Sequence, residues 1–237
     1  MRTLSDADVL GLWESGSHRH PLDQALLTLA AAFPEMHYEA LANWPIGQRN
    51  RCLADLYCTW FGPRLRAWTP CVHCGEKLEF AMEGRVLAGE GIAGRGCEDE
   101  RVTANGFTFR LPTSRDLALA AGAGGPADGA VRIAESCLIG ANPPAEWSEE
   151  DLAVIGEKLA SADPFAEVRV TLRCPGCGTN WEESLDLVSF VWAEIDGRAR
   201  RVLFGIHTLA SAFGWSEADI LLLSEKRRSV YLEMAQS

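Results

Sequence analysis

Two Cys-x-x-Cys-Gly units, Cys71-Val72-His73-Cys74-Gly75 and Cys174-Pro175-Gly176-Cys177-Gly178, constrain this 237-residue chain more than any other feature. A turn of this kind places two sulfurs on one side of an ion, and the Gly after the second Cys permits the positive φ of the knuckle. Structural Zn²⁺ is tetrahedral and is well satisfied by thiolates. The pattern therefore predicts that Cys71, Cys74, Cys174 and Cys177 bind one structural Zn²⁺. Lys77–Met82 after the first unit, and Val168–Arg173 and Trp181–Leu185 around the second, alternate polar and apolar residues as strands do. Two knuckles between strands make a zinc ribbon. The usual gap between such pairs is about 15–20 residues. Here residues 75–173 intervene, so an insert has to leave the ribbon and return to it.

Two other readings of the cysteines were weighed against zinc. A thioredoxin-like redox site needs a CxxC that opens a helix after a strand, whereas both units here precede period-two segments. A disulfide framework suits an oxidising compartment, and the beginning Met1-Arg2-Thr3-Leu4-Ser5-Asp6 has no apolar signal core. With no apolar run near the roughly 18 residues that span a bilayer, the expected localisation is cytoplasmic. Cys52, Cys58 and Cys137 lie in helical apolar patterns and are expected to be buried small hydrophobes. Cys97 sits in a Gly-rich polar loop with no partner at metal-ligand spacing.

The rest of the chain is predicted to be mainly helical. Residues 4–66 read as helices: Val9–Glu14 capped from Ser5, a second opened by Pro21 and stopped by Pro34, a short one at Tyr38–Ala42, and one from Pro45 to Gly62-Pro63. In the insert, Asn105-Gly106 marks a hairpin between Val102 and Arg110. Helices follow at Arg115–Ala121, capped by Thr113 or Ser114, at about Val131–Leu138, and from Trp147-Ser148 through Leu159, with a flexible loop over Gly122–Gly129. Leu187–Ala212 is a long amphipathic helix with Gly214 as its C-cap, and Ser216 and Ser224 open two more. The predicted fold class is α+β, mainly helical, with a zinc ribbon interrupted by a small inserted α+β domain. Its expected divisions are an N-terminal helical region 1–67, a discontinuous ribbon 68–82 and 166–186, an insert 83–165, and a C-terminal helical region 187–237. In this scheme the zinc is a clasp that holds the base of the insert between the two helical regions.

The net charge of −11 disfavours a phosphate-binding face, so protein partners are expected, without membrane or nucleic acid. Two basic clusters, Arg198 with Arg200 and Arg201, and Lys226-Arg227-Arg228, are expected to be solvated helix faces or last-turn cations rather than a polyanion site. Of the histidines, His18 and His20 fall in an exposed-looking loop, His73 inside a knuckle is expected to point outward, and His207 lies on the long helix. No GxSxG, Walker, GxGxxG or HExxH motif occurs, and Gly89-Glu90-Gly91 with Gly94 and Gly96 lacks the Lys and Ser/Thr of a phosphate loop. A closed four-Cys set has no open position for substrate. No catalytic residues are assigned, and the chain is expected not to be an enzyme.

Leu12-Trp13-Glu14 with Gly16, Pro45-Ile46-Gly47-Gln48-Arg49-Asn50, Phe61-Gly62-Pro63 and Cys71–Phe80 form one set of motifs. Phe109-Arg110-Leu111-Pro112-Thr113-Ser114-Arg115-Asp116-Leu117, Asp163-Pro164, the second knuckle, Phe213–Leu221 and Arg227–Glu233 form another. Over most of its length the chain resembles zinc-ribbon proteins associated with phage-tail-like contractile injection systems. Its strand–Leu-Pro-Thr–helix unit is similar to T4-type phage baseplate assembly proteins. The resemblance implies a non-enzymatic structural or assembly (chaperone-like) factor for the baseplate, with baseplate or tail components as partners. It transfers only the four cysteines; Arg110 and Arg115-Asp116 are expected to be solvated or helix-capping charges. The alternative is a zinc-ribbon nucleic-acid-binding or regulatory protein, which the acidic charge disfavours.

Overall fold

The computed structural model describes residues 2–84 and 100–235. Its first half begins with four helices, α1 (Asp6–Gly16), α2 (Pro21–Ala32), α3 (Tyr38–Ala42) and α4 (Ile46–Phe61). Ser5 and Asp8 form a reciprocal capping box on α1, and Pro21 occupies the first turn of α2 where its missing N–H costs nothing. These helices wrap the apolar stripe of a long helix that in chain order is the eighth, α8 (Leu187–Phe213). Val188, Val191, Ile195, Ala199, Val202, Ile206 and Leu209 recur at three- and four-residue steps along its buried side. Gly16 lies where Trp192 crosses α1: a Cβ there would sit 2.2 Å from the indole ring. The same indole donates to Thr28 Oγ1 at 3.0 Å, tying α2 to α8. Gly214 takes the left-handed C-cap conformation at φ 69°, and α9 (Glu217–Leu222) and α10 (Glu225–Ala235) fold back on α8.

Two antiparallel hairpins rise from this helical core. The first pairs β1 (Arg64–Pro70) with β2 (Lys77–Glu83), and the second pairs β6 (Arg169–Arg173) with β7 (Asn180–Ser184). They form separate sheets. Leu65 and Leu185 at their bases are buried in the helical core. β1 starts inside a stretch that was expected to be helical. Gly62 at φ 105° and the following Pro63 end α4, and buried Leu65 with half-buried Ala67 and Thr69 then alternate with exposed neighbours. The hairpin therefore begins at Arg64, four residues before Trp68.

The insert has its own core. β3 (Arg101–Ala104), β4 (Phe107–Arg110) and the two-residue β5 (Leu138–Ile139) make a sheet in that order, covered by α6 (Pro126–Cys137) and α7 (Glu149–Ala162). The expected Asn-Gly turn is present, with both Asn105 and Gly106 at positive φ. Phe109 and Trp147 meet at the centre, 6.2 Å between ring centroids. β5 carried no sequence signal, being too short for any period. α5 (Ser114–Ala121) is capped by Thr113 as expected, but the flexible loop expected over Gly122–Gly129 is cut short. Pro126 at the first helical position starts α6 early, and Asp128 accepts the Gly124 N–H at 2.9 Å.

Of the charges expected to be solvated or helix-capping, Arg115, Arg200, Arg201, Lys226 and Arg227 are exposed, Arg110 and Arg198 are half-buried, and Asp116 and Arg228 are buried. Asp116 is buried and takes two hydrogen bonds from the Arg110 guanidinium, at 2.7 and 2.8 Å, as well as capping α5 through Thr113. Burial alone would raise its pKa, but bonds from Arg110, Ser136 and Thr113 outweigh it and hold the carboxyl at about 2. Arg115 reaches Asn43 Oδ1 at 2.8 Å and pairs with Glu39. Arg198 of α8 and Arg228 of α10 both pair with Asp6 at the start of α1. Arg200 pairs with Asp196 one turn earlier on the exposed face of α8, and Arg201 beside it is exposed too. Cys137 is buried as expected, whereas Cys52 and Cys58 are only half-buried. His20 caps α2 by accepting the Leu22 N–H, and His207 is exposed. Cys97 and the Gly89–Gly96 run lie outside the described residues.

One joint connects the insert to the helical core. The first turn of α4 is a row of backbone donors and buried polar side chains, and two segments meet it, Pro112–Ser114 within the insert and Asp163–Ala166 at its C-terminal end. Ile46 N–H donates to Pro112 O at 3.0 Å, and Pro45 bridges to Thr113. Gly47 N–H donates to Asp163 Oδ2 at 2.7 Å. Asn50 donates to the carbonyls of Phe165 and Ala166, Arg49 to Ser114 Oγ, and the Arg51 guanidinium lies 4.2 Å above the Phe165 ring. A Cβ on Gly47 would fall 1.7 Å from Asp163 Oδ1, so only glycine allows this approach. Burial pushes the Asp163 carboxyl above the usual carboxylate range even though Gly47 N–H favours its charge. Asp163→Ala should lower stability by about 1–2 kcal/mol, as loss of a helix cap does, while Asp163→Asn, which keeps an acceptor oxygen without the buried charge, should recover most of it. Urea midpoints at unchanged slope would show this order; an Asn variant as weak as the Ala variant would contradict the cap role.

Candidate metal centre

The metal-ligand geometry begins with two nearly superimposable turns. In the first, Cys71 N–H donates to Glu76 O at 2.8 Å and Gly75 N–H to Cys71 O at 3.0 Å. In the second, Cys174 N–H donates to Thr179 O and Gly178 N–H to Cys174 O, both at 2.9 Å. Gly75 at φ 73° and Gly178 at φ 76° take the left-handed conformation that the sequence required of them. Each turn closes a hairpin, so the cysteines stand at the hairpin tips.

The tips face one another and all four sulfurs converge. Cys71 Sγ lies 3.6 Å from Cys177 Sγ, and Cys74 Sγ lies 3.6 Å from Cys174 Sγ. All four sulfur atoms fall within 4.8 Å of one another. A Zn–S bond of about 2.3 Å in a regular tetrahedron gives S···S edges of about 3.8 Å, so the cluster has the size a four-thiolate ion needs. The contacts are far longer than the S–S bond of about 2.05 Å, and these cysteines are thiols. One cysteine of each pair is buried, Cys71 and Cys174, and one exposed, Cys74 and Cys177.

The electrostatics of the cluster are those of acidic groups crowded without a counter-charge. Thr179, through its hydroxyl and its N–H, lowers Cys177 to about 6. The N–H groups of Cys74 and His73 lower Cys71. Glu76 N–H favours a thiolate on Cys74 as well, but the three neighbouring sulfurs push it up to about 12. The fold thus favours the thiolate at Cys71 and Cys177 and the proton at Cys74, and a divalent cation among the sulfurs would favour the thiolate there too. His73 is exposed and contributes only its backbone N–H, 3.4 Å from Cys71 Sγ.

Little else joins the two hairpins. Thr69 Oγ1 lies 3.4 Å from Glu183 Oε2, which also accepts from Trp181 Nε1 at 3.0 Å. This bridge and the Thr179 contact had no separate sequence signal; Thr179 is recognisable only as the polar residue that follows CxxCG. The position of the site also corrects its expected role. β2 runs from the knuckle at Lys77 to Glu83 before the chain enters the insert, a strand length of about 20 Å. The cluster therefore joins the hairpin tips, and the base of the insert is held at the α4 joint.

Comparison of the chain with protein-family models, with curated proteins and with solved structures finds no match in any of the three. Among the described residues no helix is long and apolar enough to cross a membrane. A Cys174→Ser variant should lose stoichiometric metal and the slow amide exchange of β1, β2, β6 and β7, while the buried stretch of α8 keeps its protection. Hydrogen exchange by mass spectrometry would check this. Hairpins that stayed as protected as in the parent protein would show that they need no clasp.

Proposed function

We propose that the protein is a non-enzymatic structural or assembly factor, chaperone-like in character, stabilised by a structural zinc on Cys71, Cys74, Cys174 and Cys177. The observation that carries this reading is the closed set of four converging thiols. Four protein ligands complete a tetrahedral ion and leave no position for water or substrate, so the metal serves the architecture. Zinc fits better than a harder cation because every donor is sulfur.

The clasped hairpins also present surface for a partner. Trp68 is 63% exposed on β1 and Val72 is 70% exposed at the first knuckle. Large apolar side chains displayed on a rigid support are characteristic of protein-interaction surfaces. From the motif resemblance we infer that the partners are baseplate or tail components of a contractile phage-tail-like injection system, and that the protein acts in the cytoplasm where such particles assemble. Affinity capture of the tagged protein, after crosslinking in cells expressing an injection-system operon, should recover baseplate or hub proteins. A Trp68→Ala/Val72→Ser variant should recover at least about tenfold less, in line with loss of an aromatic anchor. Recovery of no baseplate, hub or sheath protein would contradict the assignment.

A further inference from the structure

The two basic runs have no part in the zinc-clasp reading, and the fold brings them to one place. α8, α10 and the start of α1 line an open cleft of about 250 Å³ that carries Arg198, Arg201 and Arg228 together with the carboxylates Asp6 and Glu225. We propose that this cleft is a binding site for a compact tetrahedral oxyanion of the phosphate class.

Arg228 is the core of the site. Its side chain is only 9% exposed, and among the described residues its one hydrogen bond runs from Nη2 to Asp6 Oδ2. A guanidinium carries five N–H donors. Nε and Nη1 are left without a partner on a residue that lines the cavity. Burial also lowers its pKa. Asp6 cannot satisfy the cleft alone, because Arg198 takes its other oxygen, Nη2 at 2.9 Å and Nε at 3.2 Å. Arg201 makes no hydrogen bond or ion pair among the described residues, and it lines the same cavity.

Three guanidiniums thus face two carboxylates, which leaves a positive site on a protein whose net charge is −11. Asp6 holds Arg198 and Arg228 side by side. Donors from several directions suit a tetrahedral oxyanion better than a planar carboxylate. The remaining lining residues, Val202, Gly205 and Leu232, are aliphatic, with no aromatic face on which a base would stack. The ligand is therefore recognised through its phosphate group, whether free or carried on a small alcohol.

Isothermal titration of the full-length, zinc-loaded protein with inorganic phosphate, and separately with glycerol phosphate, tests the site at ionic strength matched with chloride. Saturable one-to-one binding of either ligand is expected, and the tighter one tells whether the group arrives free or carried. Arg201→Gln should weaken it about tenfold, the effect of losing a charged hydrogen bond, and Lys226→Gln, outside the cleft, should leave it unchanged. Asp6 is the internal competitor, so Asp6→Asn should tighten binding if the variant folds. No saturable binding of either ligand, or an Arg201→Gln protein that binds like the parent, would overturn the proposal.

Discussion

Four thiols that lie within 4.8 Å of one another repel as thiolates unless a cation joins them, and we propose that the order of both hairpins rests on that constraint. A lone two-stranded ribbon is marginally stable in water. These two form separate sheets, and beyond the sulfur cluster a single side-chain contact, Thr69 to Glu183, is the polar link between them. Their bases are secured by Leu65 and Leu185 in the helical core, but nothing comparable secures the tips. The zinc we propose converts sulfur repulsion into four bonds and makes one rigid arm of two weak ribbons.

The arm and the insert are held by different physics. At the tips the restraint we propose is coordination, between residues about a hundred positions apart. At the insert it is a hydrogen-bonded joint on the first turn of α4, where Ile46, Gly47, Arg49 and Asn50 receive both the Pro112–Ser114 segment and the Asp163–Ala166 segment. The middle of the insert and its C-terminal end therefore meet one helix end. A third restraint, the Asp6 carboxylate between Arg198 and Arg228, closes the chain ends on each other. Such a buried group of charges contributes register more than net stability.

Features governed by local chemistry were legible in the sequence. The four cysteines were found from spacing, the β3–β4 turn from Asn105-Gly106, and the cap of α5 from Thr113 with Asp116 three residues on. The long helix α8 was legible from its three- and four-residue apolar period. What escaped was set by partners far away in the chain. Arg198 and Arg228 look like solvated helix cations because their period is the same whether the counter-ion is water or a buried Asp6. β1 was missed because its outward residues, Arg64, Arg66 and Trp68, mask the alternation with a large exposed aromatic. The joint was unreadable for the same reason: nothing local to Gly47 indicates that Asp163 will occupy the space where a side chain would be. The motifs Pro45–Asn50 and Asp163-Pro164, separate in sequence, are the two halves of that contact.

The central claim concerns the four sulfurs and the ion between them, and X-ray absorption at the zinc K-edge on the purified protein tests it most directly. The account predicts one zinc per chain whose first shell is four sulfur atoms at about 2.3 Å, with no nitrogen or oxygen scatterer. A shell containing light atoms, or protein purified from zinc-replete cells without bound metal, would contradict it.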